Sequence, residues 1–403
     1  MDATITRPAV VVGRPSFDLG PVIGAAAIVV AAFYLNAVVS WRQSALFVIG
    51  AFAGVVLYHA AFGFTSSWRV FISDRRGAGL RAQMLMLAVT CAVFFPLIAS
   101  GTVFGHPVRG SISPPGLAVI AGAFIFGIGM QLGGGCASGT LYTAGGGSTR
   151  MFIVLAAFIV GSVIGTAHSQ FWAAMPALPP TSIVTVMGAW AGLALSLAVF
   201  GLIAWITIAM EKRQHGRLVE PAGRDNGSKW LRGPWPLAAG ALGLAIVNIA
   251  TLTIGGRPWG VTSAFALWGA KGAAALGIPV ATWPYWKAPA QAAALNASVL
   301  TDITSVMNFG IMLGALLAAL LARRFAPVWA ISARSLTAAL IGGLLLGYGA
   351  RVAYGCNIGA YFSGIASGSL HGWLWLPAAF VGNILGTSLR PLFGLSVERS
   401  SRL

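Results

Sequence analysis

The sequence predicts an all-α polytopic membrane protein of two pseudo-repeats, in which full-length spans surround short broken or re-entrant helices. Three observations carry that reading. Of 403 residues, 57% are apolar and 8% charged, at a mean hydropathy of +0.84, whereas soluble domains run to about 25% charged. Apolar runs long enough to cross a bilayer, about 20 residues each, recur along the whole chain. One glycine and cysteine frame occurs twice.

The spans come first. Uninterrupted apolar runs cover 20–40, 82–104, 151–172, 182–210, 236–255 and 303–322, and the slightly shorter 44–62 and 372–389 complete the set. The run at 20–40 is too long for a signal-peptide core and reads as a retained span. The stretches 117–149, 256–283 and 335–370 are interrupted by glycines every few residues. At membrane depth such backbone is tolerated only inside protein or along a cavity, so these stretches point to a pathway.

Charge sets the orientation. The net charge is +17 with eight acids, Asp2, Asp18, Asp74, Glu211, Glu220, Asp225, Asp302 and Glu398. The positive excess sits in short clusters between apolar runs, which fits loops flanking spans and not a nucleic-acid-binding face. The hydrophilic stretch 211–233, within a linker drawn at 211–235, separates an N-terminal half (1–210) from a C-terminal half (236–403) and reads as cytoplasmic. So do 69–81, with Arg69, Arg75, Arg76 and Arg81, and the Arg323, Arg324, Arg334 cluster. The uncharged 173–181 then faces outward, and both termini, including Arg7, Arg14, Arg390, Arg399 and Arg402, fall inside.

The repeat carries the chemistry. Gly122–Gly139 and Gly342–Gly359 align without a gap at an offset of 220, and Gly135, Cys136 and Gly139 match Gly355, Cys356 and Gly359. Farther on, Val160-Gly161 and Gly165-Thr166 match Val381-Gly382 and Gly386-Thr387. A shorter echo sets Gly63-Phe64-Thr65-Ser66 against Gly260-Val261-Thr262-Ser263, with 272–302 taking up the extra length of the second half. Paired glycine-interrupted segments in two halves are the sequence mark of a transporter binding site. Arg334 precedes the second frame from the cytoplasmic side and 105–116 precedes the first from outside, which favours an inverted relation.

Glycines flanking each cysteine let a half-helix start just after a turn and offer unpaired N–H groups to an anion. The thiol adds a soft, polarizable sulfur suited to a sulfur-bearing anion. The bland alternative is a small buried residue in a tight helix contact, and duplication argues against it. Arg351 could hold a dianion or snorkel to the surface, and Arg257 and Lys271 read mainly as interfacial anchors. Thr65, Ser66, Thr262, Ser263, Ser138, Thr140 and Asn357 supply uncharged polar contacts. Cys91 has no repeat partner and reads as structural, and His59, His168 and His371 read as interfacial. Nearly carboxylate-free spans leave little for an acidic proton relay, and no Walker, C-x-x-C, H-E-x-x-H or dinucleotide motif occurs; no cofactor or metal is expected.

The GGGCASGT and YGCNIGAYFSGIASGS segments, with GVTSAF from Gly260, resemble the YeeE/YedE family of bacterial sulfur-compound transporters, known for thiosulfate uptake, over about residues 44–389. That resemblance implies an inner-membrane protein whose broken helices meet like an hourglass, with Cys136 and Cys356 lining the route, and a small cytosolic TusA-like sulfur-carrier partner. An early family cysteine, in R-x-C-F-x-S-A-F, is replaced here by Gly63. The expected function is import of thiosulfate or a related small sulfur anion, and not catalysis. The rivals are a membrane enzyme relaying sulfane sulfur on these cysteines and a passive channel for another small anion. The expected pathway residues are Cys136, Cys356, Gly135, Gly139, Gly355, Gly359, Ser138, Asn357, Arg351, Thr65 and Thr262.

Overall fold

Every short helix in the core follows the same event, a long helix that stops at a glycine-bearing turn and restarts at an angle. The computed structural model describes residues 19–219 and 230–398. Arg7 and Arg14, the linker's 220–229, and Arg399 and Arg402 lie outside the described residues.

After α1 (Leu19–Val38) come four units of long helix, turn, short helix and long helix. The first is α2 (Trp41–Ala60), α3 (Phe64–Asp74) and α4 (Ala78–Ser100); the second is α5 (Leu117–Gly133), α6 (Ala137–Gly145) and α7 (Thr149–Ala167). Between them a two-stranded hairpin, β1 (Thr102–Val103) with β2 (His106–Pro107), turns the loop. The short helices α8 (Ser169–Ala173) and α9 (Ile183–Met187) lead to α10 (Ala189–His215) and the linker. The third unit is α11 (Leu237–Gly255), α12 (Thr262–Ala275) and α15 (Ile303–Leu321), with α13 (Pro284–Lys287) and α14 (Pro289–Asn296) in the excursion between them. The fourth is α16 (Ala333–Val352), a π-helical turn Asn357–Phe362 running into α17 (Ser363–Ala366), and α18 (Leu370–Leu389).

Among the described residues nine helical stretches are long and apolar enough to cross a membrane. The chain is an all-α multi-pass membrane protein. The expected spans recur as helices with ends shifted by a few residues, except that 82–104 starts at Ala78 and gives up its end to the hairpin, 151–172 becomes α7 and then α8, and 182–210 becomes α9 and then α10 through His215; α18, at the expected 372–389, is not among the nine. The stretch 69–81, expected as a loop, is largely α3 and the start of α4.

The stretches 117–149 and 335–370, expected to be broken, do break, at 134–136 and 353–356, but their glycine-rich first parts, 117–133 and 333–352, are continuous helices. Their glycines permit close packing, as small residues do wherever membrane helices touch. A methyl on Gly122 would meet Ala353 and Gly349, one on Gly129 would meet Leu346 and Gly342, and one on Gly347 would run into Phe158 and Ser162.

These contacts also fix direction. Early α5 lies against late α16 and late α5 against early α16, so the two run antiparallel. In the other pair of units Gly240 of α11 faces Ala60 of α2 and Gly255 faces Leu46, again antiparallel. Corresponding helices that run in opposite directions make the repeat inverted. The partnering obeys the same symmetry: α5 packs on α18 as α16 packs on α7, and α2 on α15 as α11 on α4. The two halves therefore interleave.

The end of α10 is tied to the start of α4 by Arg81–Glu211 at 2.7 Å, and the start of α11 to the end of α2 by Trp235 N–H on His59 O at 2.8 Å. Gly24 of α1 rests on Leu317 and Leu320 near the end of α15. Both ends of the described chain thus lie on the face that carries the linker, called the linker face below.

Candidate functional site

Four turns interrupt the helices, and two carry thiols. At Gly134, φ is +87°, and Cys136 then caps α6, its Sγ accepting Gly139 N–H at 3.4 Å and lying 3.4 Å from Ser138 Oγ. In the second frame Tyr354, the counterpart of Gly134, has φ +59° and Gly355 has φ +155°, and Cys356 caps the π-helical turn, its Sγ accepting Ile358 N–H at 3.4 Å. A methyl on Gly355 would sit 2.7 Å from Ala360 N, and one on Gly135 3.2 Å from Thr140 N. At Gly355 only glycine fits, because of its positive φ and the 2.7 Å approach; at Gly135 a side chain would have to push the backbone of α6 back. Both thiols are buried and free, and the two short helices that they cap touch each other. Among the described residues neither sulfur bonds a His, Lys or Arg, and no group of three His, Cys, Asp or Glu could hold a metal.

Around Cys356 the expected residues gather. Arg351, Thr262, Gly355 and Gly359 line one cavity of about 290 Å³ on the face opposite the linker, together with Arg109 and Arg257. A methyl on Gly359 would meet nothing within 4 Å, so its Cα opens onto that space. Arg351 is not buried as an ion pair; it donates to Tyr285 Oη at 2.9 Å and stacks over that ring. Arg257, read as an interfacial anchor, is half-engaged here, bonding Thr304 Oγ1 at 3.1 Å and lying 3.6 Å from Asp302. Lys271 instead donates to Leu295 O and Ala297 O, fastening the excursion.

Asn357 is fully buried, and neither atom of its amide has a hydrogen-bond partner within the protein. The same holds for Thr65 Oγ1 on α3 and Trp259 Nε1 at the cavity wall. Buried polar groups are normally paired, so these groups have bonding capacity to offer an anion, as do other buried polar atoms elsewhere in the core. Thr65 lies apart from the cavity and meets α5, its carbonyl accepting Gln131 Nε2 at 3.2 Å. Gly63 precedes α3, and a side chain there would run into Ser66 Oγ.

The sequence reading missed the linker-face arginines. Arg69 donates to Gln131 Oε1 at 3.4 Å and pairs with Glu398 at 2.7 Å; Arg150 donates to Gly133 O and Leu132 O; Arg390 donates to Gln131 O at 2.6 Å. Arg150 and Arg390 thus cap the carbonyl end of α5, and Arg69 holds the Gln131 side chain beside them. The one available signal was Gln131 itself, which occupies the offset-220 position of Arg351. Histidine placement is corrected as well: His371 is fully buried and bonds Ser369, and His59 is buried against Trp235, while His168 alone sits at the surface beside Tyr348. Cys91 packs in the core with its Sγ 3.9 Å from Ile365 O.

Inverted helical units whose interrupted segments meet at buried polar groups define a class, the membrane transporters built on broken helices. Within that class the chain belongs to the sulphur transport family, whose model matches residues 59–385. It is 33% identical to the probable transporter YedE of Escherichia coli K12 over 171 residues, 42% of each chain, so that alignment spans under half of the relative's length. It is 27% identical to the thiosulfate transporter TsuA of Spirochaeta thermophila over 334 residues, 81% of this chain and 92% of that one. To TsuA of E. coli K12 it is 25% identical over 352 residues, 83% and 91%.

Proposed function

We propose that the protein imports thiosulfate or a closely related small sulfur anion across the bacterial inner membrane. The observation that carries this reading is the pair of thiol-capped short helices in mutual contact, with an arginine-lined cavity opening at one of them. The guanidinium groups of Arg109, Arg257 and Arg351 collect a dianion, and Gly355, Gly359 and Thr262 let it approach closely. Asn357 and Ser138 offer neutral hydrogen bonds, and the sulfurs of Cys136 and Cys356 make weak, polarizable contacts. Several weak contacts in series let an ion enter and leave. Thr65 belongs to the Cys136 side through Gln131. The thiosulfate transporters named TsuA, aligned over most of the chain, support the substrate class.

The orientation follows the same reading. The linker face exposes Arg75, Arg213, Arg217, Arg323 and Arg324, so the positive-inside rule makes it cytoplasmic. Both ends of the described chain then lie inside, and a small TusA-like carrier would receive the anion there.

Uptake of labelled thiosulfate into cells lacking their own importers tests the proposal. Wild-type protein should give uptake, and Cys136→Ser and Cys356→Ser, at matched membrane expression, should each lose most of it. No wild-type uptake would remove the substrate, and uptake indifferent to both changes would remove the thiol pathway.

A further inference from the structure

A second cavity, of about 710 Å³, opens on the linker face, away from the Cys356 side. Its wall includes Tyr58 of α2, Tyr142 of α6, Ser148 and Arg150 at the start of α7, and Ser332 and Ser335 at the start of α16, and no carboxylate among the described residues lines it. The helices α7 and α16 run parallel, Gly161 against Leu344 and Gly165 against Arg351. Both therefore bring their N-termini to this one cavity, and the positive ends of two long helices add there.

The donors on this wall are only partly used. Ser148 caps α7 without a side-chain bond to the helix. Arg150 bonds Ser335 Oγ at 2.9 Å and the carbonyls of Gly133 and Leu132, which leaves further N–H groups of its fork. A hydroxyl ring, one guanidinium, two helix N-termini and no acid make an environment for an oxyanion.

The inverted copy of this corner is closed, which marks the opening as a feature of one face. On the opposite face Ser367 and Ser369 Oγ accept Ser111 and Ser113 N–H at 2.9 and 3.4 Å, so the loop lies down on the helix ends. On the linker face the equivalent segment, 325–331, stands away as an extended wall. Ala326, Val328 and Ala330 face the cavity, while Phe325, Pro327 and Trp329 face an apolar crevice on its other side. Thr149 Oγ1 holds it by donating to Val328 O.

We propose that this cavity is a binding site for a small tetrahedral dianion, the sulfate, phosphate or thiosulfate shape, independent of the two thiols. Its role as the exit station of the pathway rests on the transport reading; the binding does not. The probe is radiolabelled inorganic sulfate, with equilibrium binding measured on the purified full-length protein in lipid nanodiscs. Wild type should bind. Tyr58→Phe combined with Ser148→Ala, and separately Arg150→Lys, should each weaken a sulfate site by about tenfold, as expected for deleting hydrogen bonds to a charged group. Arg351→Gln, in the opposite cavity, should leave that site unchanged.

The hydroxyl pair leaves the Arg150 clamp on α5 in place, so it keeps the test alive if Arg150→Lys does not fold. Absent wild-type binding, binding unaffected by the hydroxyl pair, or binding abolished by Arg351→Gln alone would each overturn the site. Thiosulfate uptake measured on the same variants separates the two readings. A wild type that binds sulfate but imports no thiosulfate keeps the site and loses the proposed function. Normal uptake without sulfate binding does the reverse.

Discussion

Replacing Gly355 and Gly359 with alanine, one at a time, separates what the second cysteine frame needs in order to fold from what it needs in order to work. At Gly355 φ is +155° and the new methyl would sit 2.7 Å from Ala360 N and 3.1 Å from Gly359 C, both backbone. The conformation costs an L residue roughly 1–3 kcal/mol, and forcing the overlap adds roughly 1–3 kcal/mol. The sum, roughly 2–6 kcal/mol, is large against the 5–15 kcal/mol of a typical fold. At about 2 °C per kcal/mol for a chain this long, melting should fall by about 4–12 °C. At Gly359 the methyl meets nothing within 4 Å and φ is not positive. Gly359→Ala should therefore melt like wild type, yet its methyl enters the cavity within one turn of Cys356 and should depress uptake. Tryptophan-fluorescence melting of the detergent-purified protein, with uptake at matched expression, reads both effects. A wild-type melt for Gly355→Ala, or an equal fall for Gly359→Ala, would refute the argument that backbone crowding dictates glycine only at the first position.

Other substitutions probe the rest of the frame. Arg351→Gln should raise the KM for thiosulfate several-fold with little change in maximal rate, because the guanidinium gathers the anion before the thiols meet it; an unchanged KM in initial-rate uptake would remove it from the site. Glu211 is fully buried and takes bonds from Arg81, Gly77 N–H and Val219 N–H at 2.7, 3.0 and 2.9 Å. Glu211→Gln should destabilise the α4–α10 contact by about 3–5 kcal/mol, since Arg81 keeps its charge without a partner, and membrane yield and melting check it. Burial pushes the Glu398 carboxyl up, but the hydrogen bond from Arg69 and the charges of Arg69 and Arg390 more than offset it, so its folded value lies below the ordinary one. The tail contact is then complete above about pH 4.3 and is lost as pH falls through the lower folded value. Protease protection of the C-terminal tail should persist down to about pH 4; loss near neutrality would contradict the pairing.

How legible the protein was in its sequence depended on the range of each signal. The Cys136 and Cys356 frames were legible because their cause is local: a turn that folds onto the next helix needs glycine within a few residues of the cap, and the need repeats at a fixed offset. The excursion at 272–302 was legible as excess length, and inversion as charge placement. The glycines of 117–133 and 333–352 misled, because a glycine that breaks a helix and one that lets two helices touch look alike until the partner is known. Gly122 and Gly349 serve each other across a sequence separation of 227. The same blindness hid Arg69 and Arg390, read as loop and tail charges, and Arg150, which the sequence reading passed over, although all three converge on the end of α5. His371 read as interfacial from its place at a span end, yet Gly364 of α17 packs on its ring and Ser369 bonds it.

An inverted repeat alone would give a pathway with two equivalent ends, so direction has to come from where the copies differ. They differ at the position five residues before each cysteine, glutamine in the first copy and arginine in the second. On the linker face the arginines near Gln131 do structural work: Arg69 is neutralised by Glu398 and touches Gln131 Oε1, Arg390 is bound to the Gln131 backbone carbonyl, and Arg150 spends most of its fork on α5 and Ser335. Arg351 pairs with no carboxylate among the described residues; it bonds Tyr285 and faces its cavity beside Arg109 and Arg257, the latter 3.6 Å from Asp302. On the transport reading an anion therefore meets strong, lightly neutralised positive charge at one end and a weaker, largely spent set at the other. The membrane potential, negative inside, opposes entry of a dianion by about 2.3 kcal/mol per charge per 100 mV. This charge difference sets where the anion dwells but supplies no net work, so accumulation requires either consumption of the anion inside or a coupled ion. Substituting Arg for Gln131 would level the two ends; with folding intact, import should slow because release, not capture, becomes limiting. Faster import by that variant would show that charge at the linker face aids exit and would reverse the argument.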